Sequence, residues 1–85
     1  MIRIKWLDLA VEDLDDIAGY ISQDNPEAAR RPVSRLGMAV KTLAEQLEMG
    51  RPGRVHGTRE LVVSDTPFVV PYRVVGSDIE ILRVL

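Results

Sequence analysis

The sequence predicts an α+β fold, a β-α-α-β-β-β chain whose antiparallel sheet carries a helical hairpin packed on one face. Three observations lead there. Residues 2–6 alternate apolar with charged side chains, residues 9–48 switch to helical spacing, and residues 60–84 return to three β-rich runs divided by turn-forming clusters. Strands that follow a helical block, without alternating with it, belong to the α+β class.

The first strand is read at 2–6, where Ile2, Ile4 and Trp6 share one face and Arg3 and Lys5 the other. Helix one follows at roughly 9–23: Val11, Leu14, Ile17, Ala18 and Ile21 form one stripe, Asp8 is placed to cap it, and Glu12 and Asp13 sit near its positive end. Trp6 and Tyr20 are expected in the core. Helix two spans roughly 26–48. Asn25-Pro26 supplies cap and first residue, Val33, Leu36, Val40, Leu43 and Leu47 the stripe, and Gly50 the stop. Pro32 conflicts with an unbroken helix, because its ring collides with the carbonyl of Ala28. A kink is expected there, or a separate turn at 26–30 with the main helix starting at Pro32.

Arg51-Pro52-Gly53-Arg54 reads as a loop. The runs 60–64, 68–75 and 79–84 then form a meander, with turns at Asp65-Thr66-Pro67 and Gly76-Ser77-Asp78. Pro71 removes one ladder bond from the middle run, which calls for an edge position or a bulge at that point. The last five residues, Ile81 to Leu85, lie inside an apolar strand, and a natural chain is expected to continue past them.

Eighty-five residues, 46% of them hydrophobic and 28% charged, fit one globular domain over 1–85. No apolar run approaches the ~18 residues of a membrane span, and the N-terminus has no signal-peptide core, so no membrane role and a cytoplasmic location are expected. Without cysteine and with one histidine the chain lacks the residues for disulfides, thiolate zinc or a histidine metal cluster. A domain this small buries only roughly 60 to 65% of its unfolded surface, so a stabilising partner is a reasonable expectation.

The net charge of −2 hides an uneven distribution. Residues 1–29 set two bases against seven acids, and residues 30–59 set seven bases against two acids. One reading is a pair of solvated faces that attract each other; the other is an anionic partner docking near Arg51, Arg54 and Arg59. General nucleic-acid affinity is not supported at a pI of about 5.3.

A ribonuclease needs a proton acceptor, a proton donor and cations for the developing charge on phosphorus. His56, the one side chain that ordinarily titrates near neutrality, sits in a loop, where a surface role with a backbone bond is the usual one. Arg59 could clamp a phosphate through its planar fork, or pair with an acid. Tyr72, Arg73 and Arg83 lie on meander strands, with Tyr72 and Arg73 on opposite faces. Asp15-Asp16 is not a metal pair, because neighbouring helical side chains point about 100° apart. No glycine-rich phosphate loop and no nucleophile triad can be assembled, so neither metal nor cofactor is expected.

As a set, "DNPEAA" at 24–29, "GRPGRVHGTRELVV" at 50–63, "YRV" at 72–74 and "IEILRVL" at 79–85 resemble the RelE/ParE superfamily of toxins from bacterial type II toxin-antitoxin modules, over essentially the whole chain. The resemblance implies a growth-arresting β-α-α-β-β-β toxin held inactive by a cognate ParD- or RelB-like antitoxin, with operator DNA reached only through that antitoxin. It also implies one of two activities. ParE-like members inhibit DNA gyrase without being nucleases; RelE-like members cleave messenger RNA in the ribosome. RelE-like nucleases carry a cation on the central meander strand and after the last strand. Here positions 68–71 are Phe, Val, Val and Pro, and the chain ends at Leu85, where many relatives continue with histidine and basic or aromatic residues. The ParE branch is therefore expected, with Arg51, Arg54 and Arg59 as the contact set. The alternative is a RelE-like messenger-RNA endonuclease using Arg59, Tyr72 and Arg83.

Overall fold

The computed structural model describes residues 2–22 and 30–85. Its elements are β1 (Ile4–Trp6), α1 (Asp8–Ser22), α2 (Arg30–Thr42), β2 (Arg51–Pro52), β3 (Arg59–Val62), β4 (Val69–Val75) and β5 (Asp78–Ile81). The amide of Val11 donates to the carbonyl of Leu7 (3.1 Å), so Leu7 holds the cap position and Asp8 begins the helix. Expected features at 23–29, including the Asn25-Pro26 start of helix two, lie outside the described residues. The described part of α2 begins at Arg30 and is helical across Pro32, which falls in its first turn; the kink or separate turn expected at 26–30 lies outside the described residues. The helix ends at Thr42 and not near 48, because residues 43–46 tighten into turns whose amides bond back to Val40, Lys41 and Thr42. The predicted stripe survives the change: Leu36, Val40 and Leu43 are buried.

The five strands lie in the order β1-β5-β4-β3-β2. The meander β3-β4-β5 is antiparallel as expected, but β1 joins β5 in parallel, with Ile4 beside Ile79 and Trp6 beside Ile81, so the sheet is mixed and not purely antiparallel. Alternation in a strand fixes its buried face and says nothing of its direction. Two helices between β1 and the meander give the chain the crossover that a parallel pair requires.

The expected loop at 51–54 contains a fifth strand, since Arg51 and Pro52 pair with Glu60 and Arg59. Pro52 is tolerated because bonded pairs fall on its neighbours. Gly53 donates to Thr58 (2.8 Å), and Pro52 turns its missing donor toward the open edge.

Pro71 sits on a central strand, and of the two arrangements foreseen for it the bulge is the one formed. Tyr72 pairs with Ile81, but Val69 exchanges both backbone bonds with Leu85 (2.9 Å each), so three steps on β4 face four on the C-terminal segment. The slip falls where proline offers no donor.

Leu61, Val63, Val70, Tyr72, Ile79, Ile81 and Val84 point to one face of the sheet and meet Ala10 of α1 and Leu36, Val40 and Leu43 of the α2 region. Trp6 packs partly buried against this core, whereas Tyr20 is 78% exposed, contrary to the expectation that both are core residues. Tyr20 lies near the end of the described part of α1, at the rim of a hollow that it shares with Ile17, Pro67 and Phe68.

Candidate functional site

Of the three groups proposed for a nuclease, none stands free on an open face. Tyr72 is fully buried on the helix side. Its hydroxyl accepts a bond from the Gly50 amide (2.9 Å) and donates to the Leu47 carbonyl (2.8 Å). Arg59 lies directly across the ladder from Tyr72 and donates to the Gly50 carbonyl (2.8 Å), with a longer contact to the Glu48 carbonyl (3.4 Å). These two side chains thus hold both sides of one stretch of backbone, the turn leading out of α2.

Arg83 is engaged elsewhere, by α1. Its guanidinium makes a two-pronged contact with Asp13 of α1 (2.7 and 2.9 Å), and the Val84 amide adds a third bond to the same carboxylate (3.0 Å). Arg83 beside Asp13 holds its carboxyl below the usual carboxylate range, and burial opposes this only in part. His56 is exposed in the hairpin between β2 and β3, whose turn is closed by Thr58 bonding to Val55 through amide and hydroxyl. Among the described residues no three acidic or histidine side chains converge to hold a metal ion, and no helix is long and apolar enough to cross a membrane.

Two surfaces stand out among the described residues. The first is a groove of about 550 Å³ between α2 and the edge of the sheet. Val63 donates to Phe68 (3.1 Å), so odd-numbered residues of this stretch bond toward β4 and Glu60, Val62 and Ser64 face the opposite edge. There β2 covers only Arg59 and Glu60. Beyond them the edge lies open beside Met38, Ala39 and Thr42 of α2, with Met49 at one end. Ion pairs flank it, Arg35 with Asp65 (2.9 Å) and Arg51 with Glu60 (3.1 Å). An open strand edge next to exposed Met38 and Val62 has the chemistry to accept an extended peptide as an added strand. Sequence spacing could not find it, because it is made by the shortness of β2.

The second surface is the sheet face that no helix covers. It carries Lys5, Asp78, Glu80, Arg73, Glu60 and Arg51 around the apolar side chains of Val69, Pro71 and Leu85. Arg51 and Arg54, from the expected contact set, both line the hollow of about 290 Å³ at its β2 end, whereas Arg59 points to the helix side.

The family model described as ParE toxin of type II toxin-antitoxin system, parDE, matches residues 4–85. Toxin Y4kP of Sinorhizobium fredii is 51% identical over 83 residues, covering 98% of this chain and 85% of the relative. Toxin RelE2 of Caulobacter vibrioides is 39% identical over 84 residues, covering 99% and 93%. A solved structure described as a chromosomal ParDE TA system from P. aeruginosa superposes with a TM-score of 0.88 at 38% identity, covering 99% of this chain and 94% of that one. Sequence and fold agree along the same residues, and the chain belongs to the ParE toxin family of type II toxin-antitoxin systems.

Proposed function

We propose that this toxin arrests growth by docking on DNA gyrase, and that a cognate ParD-like antitoxin neutralises it by laying a segment along the groove between α2 and β3. The observation that carries the choice of a docking mechanism over a nuclease is the employment of Arg59, Tyr72 and Arg83. All three hold the fold together, and a group that must exchange protons or follow a moving phosphate charge needs freedom that such contacts deny. With Arg59 engaged in this way, the contact set for gyrase reduces to Arg51 and Arg54. The reading includes one toxin domain over 1–85, a cytoplasmic setting, and contact with operator DNA only through the antitoxin.

The test is a supercoiling assay with purified gyrase, toxin and antitoxin. Loss of supercoiling that the antitoxin reverses is the expected result. Full supercoiling by a toxin that still arrests growth would sink the gyrase reading. The RelE-like alternative keeps the ribosome as the next target, and new messenger-RNA ends found by primer extension after induction would identify it.

A further inference from the structure

We infer that the helix-free face of the sheet is the surface by which the toxin engages its target, and that its occupant is an acidic segment with apolar side chains on the target protein. This rests on the docking reading above, but not on gyrase being the target.

Three ion pairs cross this face, and each is lopsided. Lys5 is 51% exposed over Asp78 at 27%, Arg51 59% over Glu60 at 15%, and Arg73 49% over Glu80 at 18%. The carboxylates lie low against the sheet and the cations stand above them. Arg54 adds a cation with no ion-pair partner among the described residues. On a chain whose net charge is −2, this face presents positive charge outward. The exposed side of α1 carries Asp8, Glu12, Asp15 and Asp16 instead.

Between the cations lie Val69, Pro71 and Leu85, with Pro67 at the rim of the hollow beside Arg51 and Arg54, and Val62 exposed next to Val69. An apolar centre ringed by charge is the anatomy of a protein interface. A nucleic acid fits less well. Three of the four cations already sit within 3.2 Å of a carboxylate, so a phosphate backbone would gain little net charge and would leave the apolar strip without a partner. An acidic segment answers both parts: its carboxylates meet the raised cations, which steer the encounter, and its apolar side chains cover the strip. The α2–β3 groove shares Arg51, Glu60 and Val62 with the edge of this face, so the two surfaces are told apart by residues that line only one of them, Met38 in the groove and Arg54 and Val69 on the face.

The experiment uses three single variants of the full chain: Arg54→Glu and Val69→Glu on the sheet face, and Met38→Glu in the groove. Each is measured for growth arrest on induction, affinity for the purified antitoxin and melting temperature. Both sheet-face variants should lose growth arrest by roughly tenfold or more in surviving colonies while binding antitoxin within about twofold of wild type and melting normally. Met38→Glu should remain toxic and bind antitoxin roughly tenfold more weakly or worse.

Full toxicity of folded Arg54→Glu and Val69→Glu overturns the proposal, and so does a parallel loss of toxicity and antitoxin affinity, which would give the face to the antitoxin. Salt-sensitive binding of wild type to a DNA or RNA duplex, lost in Arg54→Glu and kept in Val69→Glu, would assign the face to nucleic acid. A concentration-dependent dimer in sedimentation, abolished by both variants, would assign it to a second copy. Because growth arrest is read without naming the target, a failed gyrase assay leaves this test standing.

Discussion

Gly50 shows how closely one residue is specified by its neighbours. Its amide is held by Tyr72 and its carbonyl by Arg59, and a Cβ built there would lie 2.6 Å from the Tyr72 ring and 2.9 Å from the Glu60 carbonyl oxygen. Only glycine lets the backbone pass so near a buried aromatic ring. Tyr72→Phe should therefore be a stability change. It leaves the Gly50 amide and the Leu47 carbonyl without their partner, at a cost of about 1–3 kcal/mol in urea denaturation. Toxicity should persist wherever the variant is folded. A variant as stable as wild type yet inert would instead give the hydroxyl a direct role. Sequence reasoning separated Tyr72 from Arg73 by face, but it could not tell which of the two faces the helices cover.

At the level of elements, the Asp13 carboxylate ties α1 to the segment after β5. Three donors converge on it, all from two successive residues, two from Arg83 and one from Val84. Regular alternation from Ile81 would leave Arg83 on the helix side and send Val84 to the opposite face; the slip opposite Pro71 is what turns Val84 inward as well, so that both reach Asp13. The contact has a pH signature. Because Arg83 depresses the native carboxyl, the contribution to stability is complete above the unfolded value of about 3.9 and is lost as pH falls through the lower native value. Asp13→Asn should lower the melting temperature by a few degrees at neutral pH, and the gap to wild type should close below about pH 4. A gap that persists unchanged in strong acid would show that shape, and not charge, makes the contact. Pro71 announced an irregularity in the sequence. Its partner across the ladder was not legible, because that depends on which strand lies on the donor side.

Among the described residues two surfaces of the sheet lie open to solvent, a groove at one edge and the face that no helix covers. A chain of 85 residues has little burial to spare. Covering Met38, Val62 and the bare strand edge with an antitoxin segment should stabilise it markedly. At a hundredfold excess over Kd the gain is about 2.7 kcal/mol, on the order of 10 °C for a domain of this size. Calorimetry of toxin alone and with antitoxin measures this directly, and an unchanged melting temperature would speak against the groove as the antitoxin's seat.

The sequence by itself determined the types and order of every element except β2, the apolar stripes of the helices, the irregularity at Pro71 and the family resemblance. These properties follow from local period, side-chain volume and backbone restrictions, which are written residue by residue. Tertiary structure alone decided that β1 runs parallel to β5, that Arg51 and Pro52 form a strand, and that Arg59, Tyr72 and Arg83 serve the fold while Arg51 and Arg54 stay on the surface. Strand direction, register and the partner of a long charged side chain depend on residues 70 to 75 positions away, and no local pattern encodes a contact of that span.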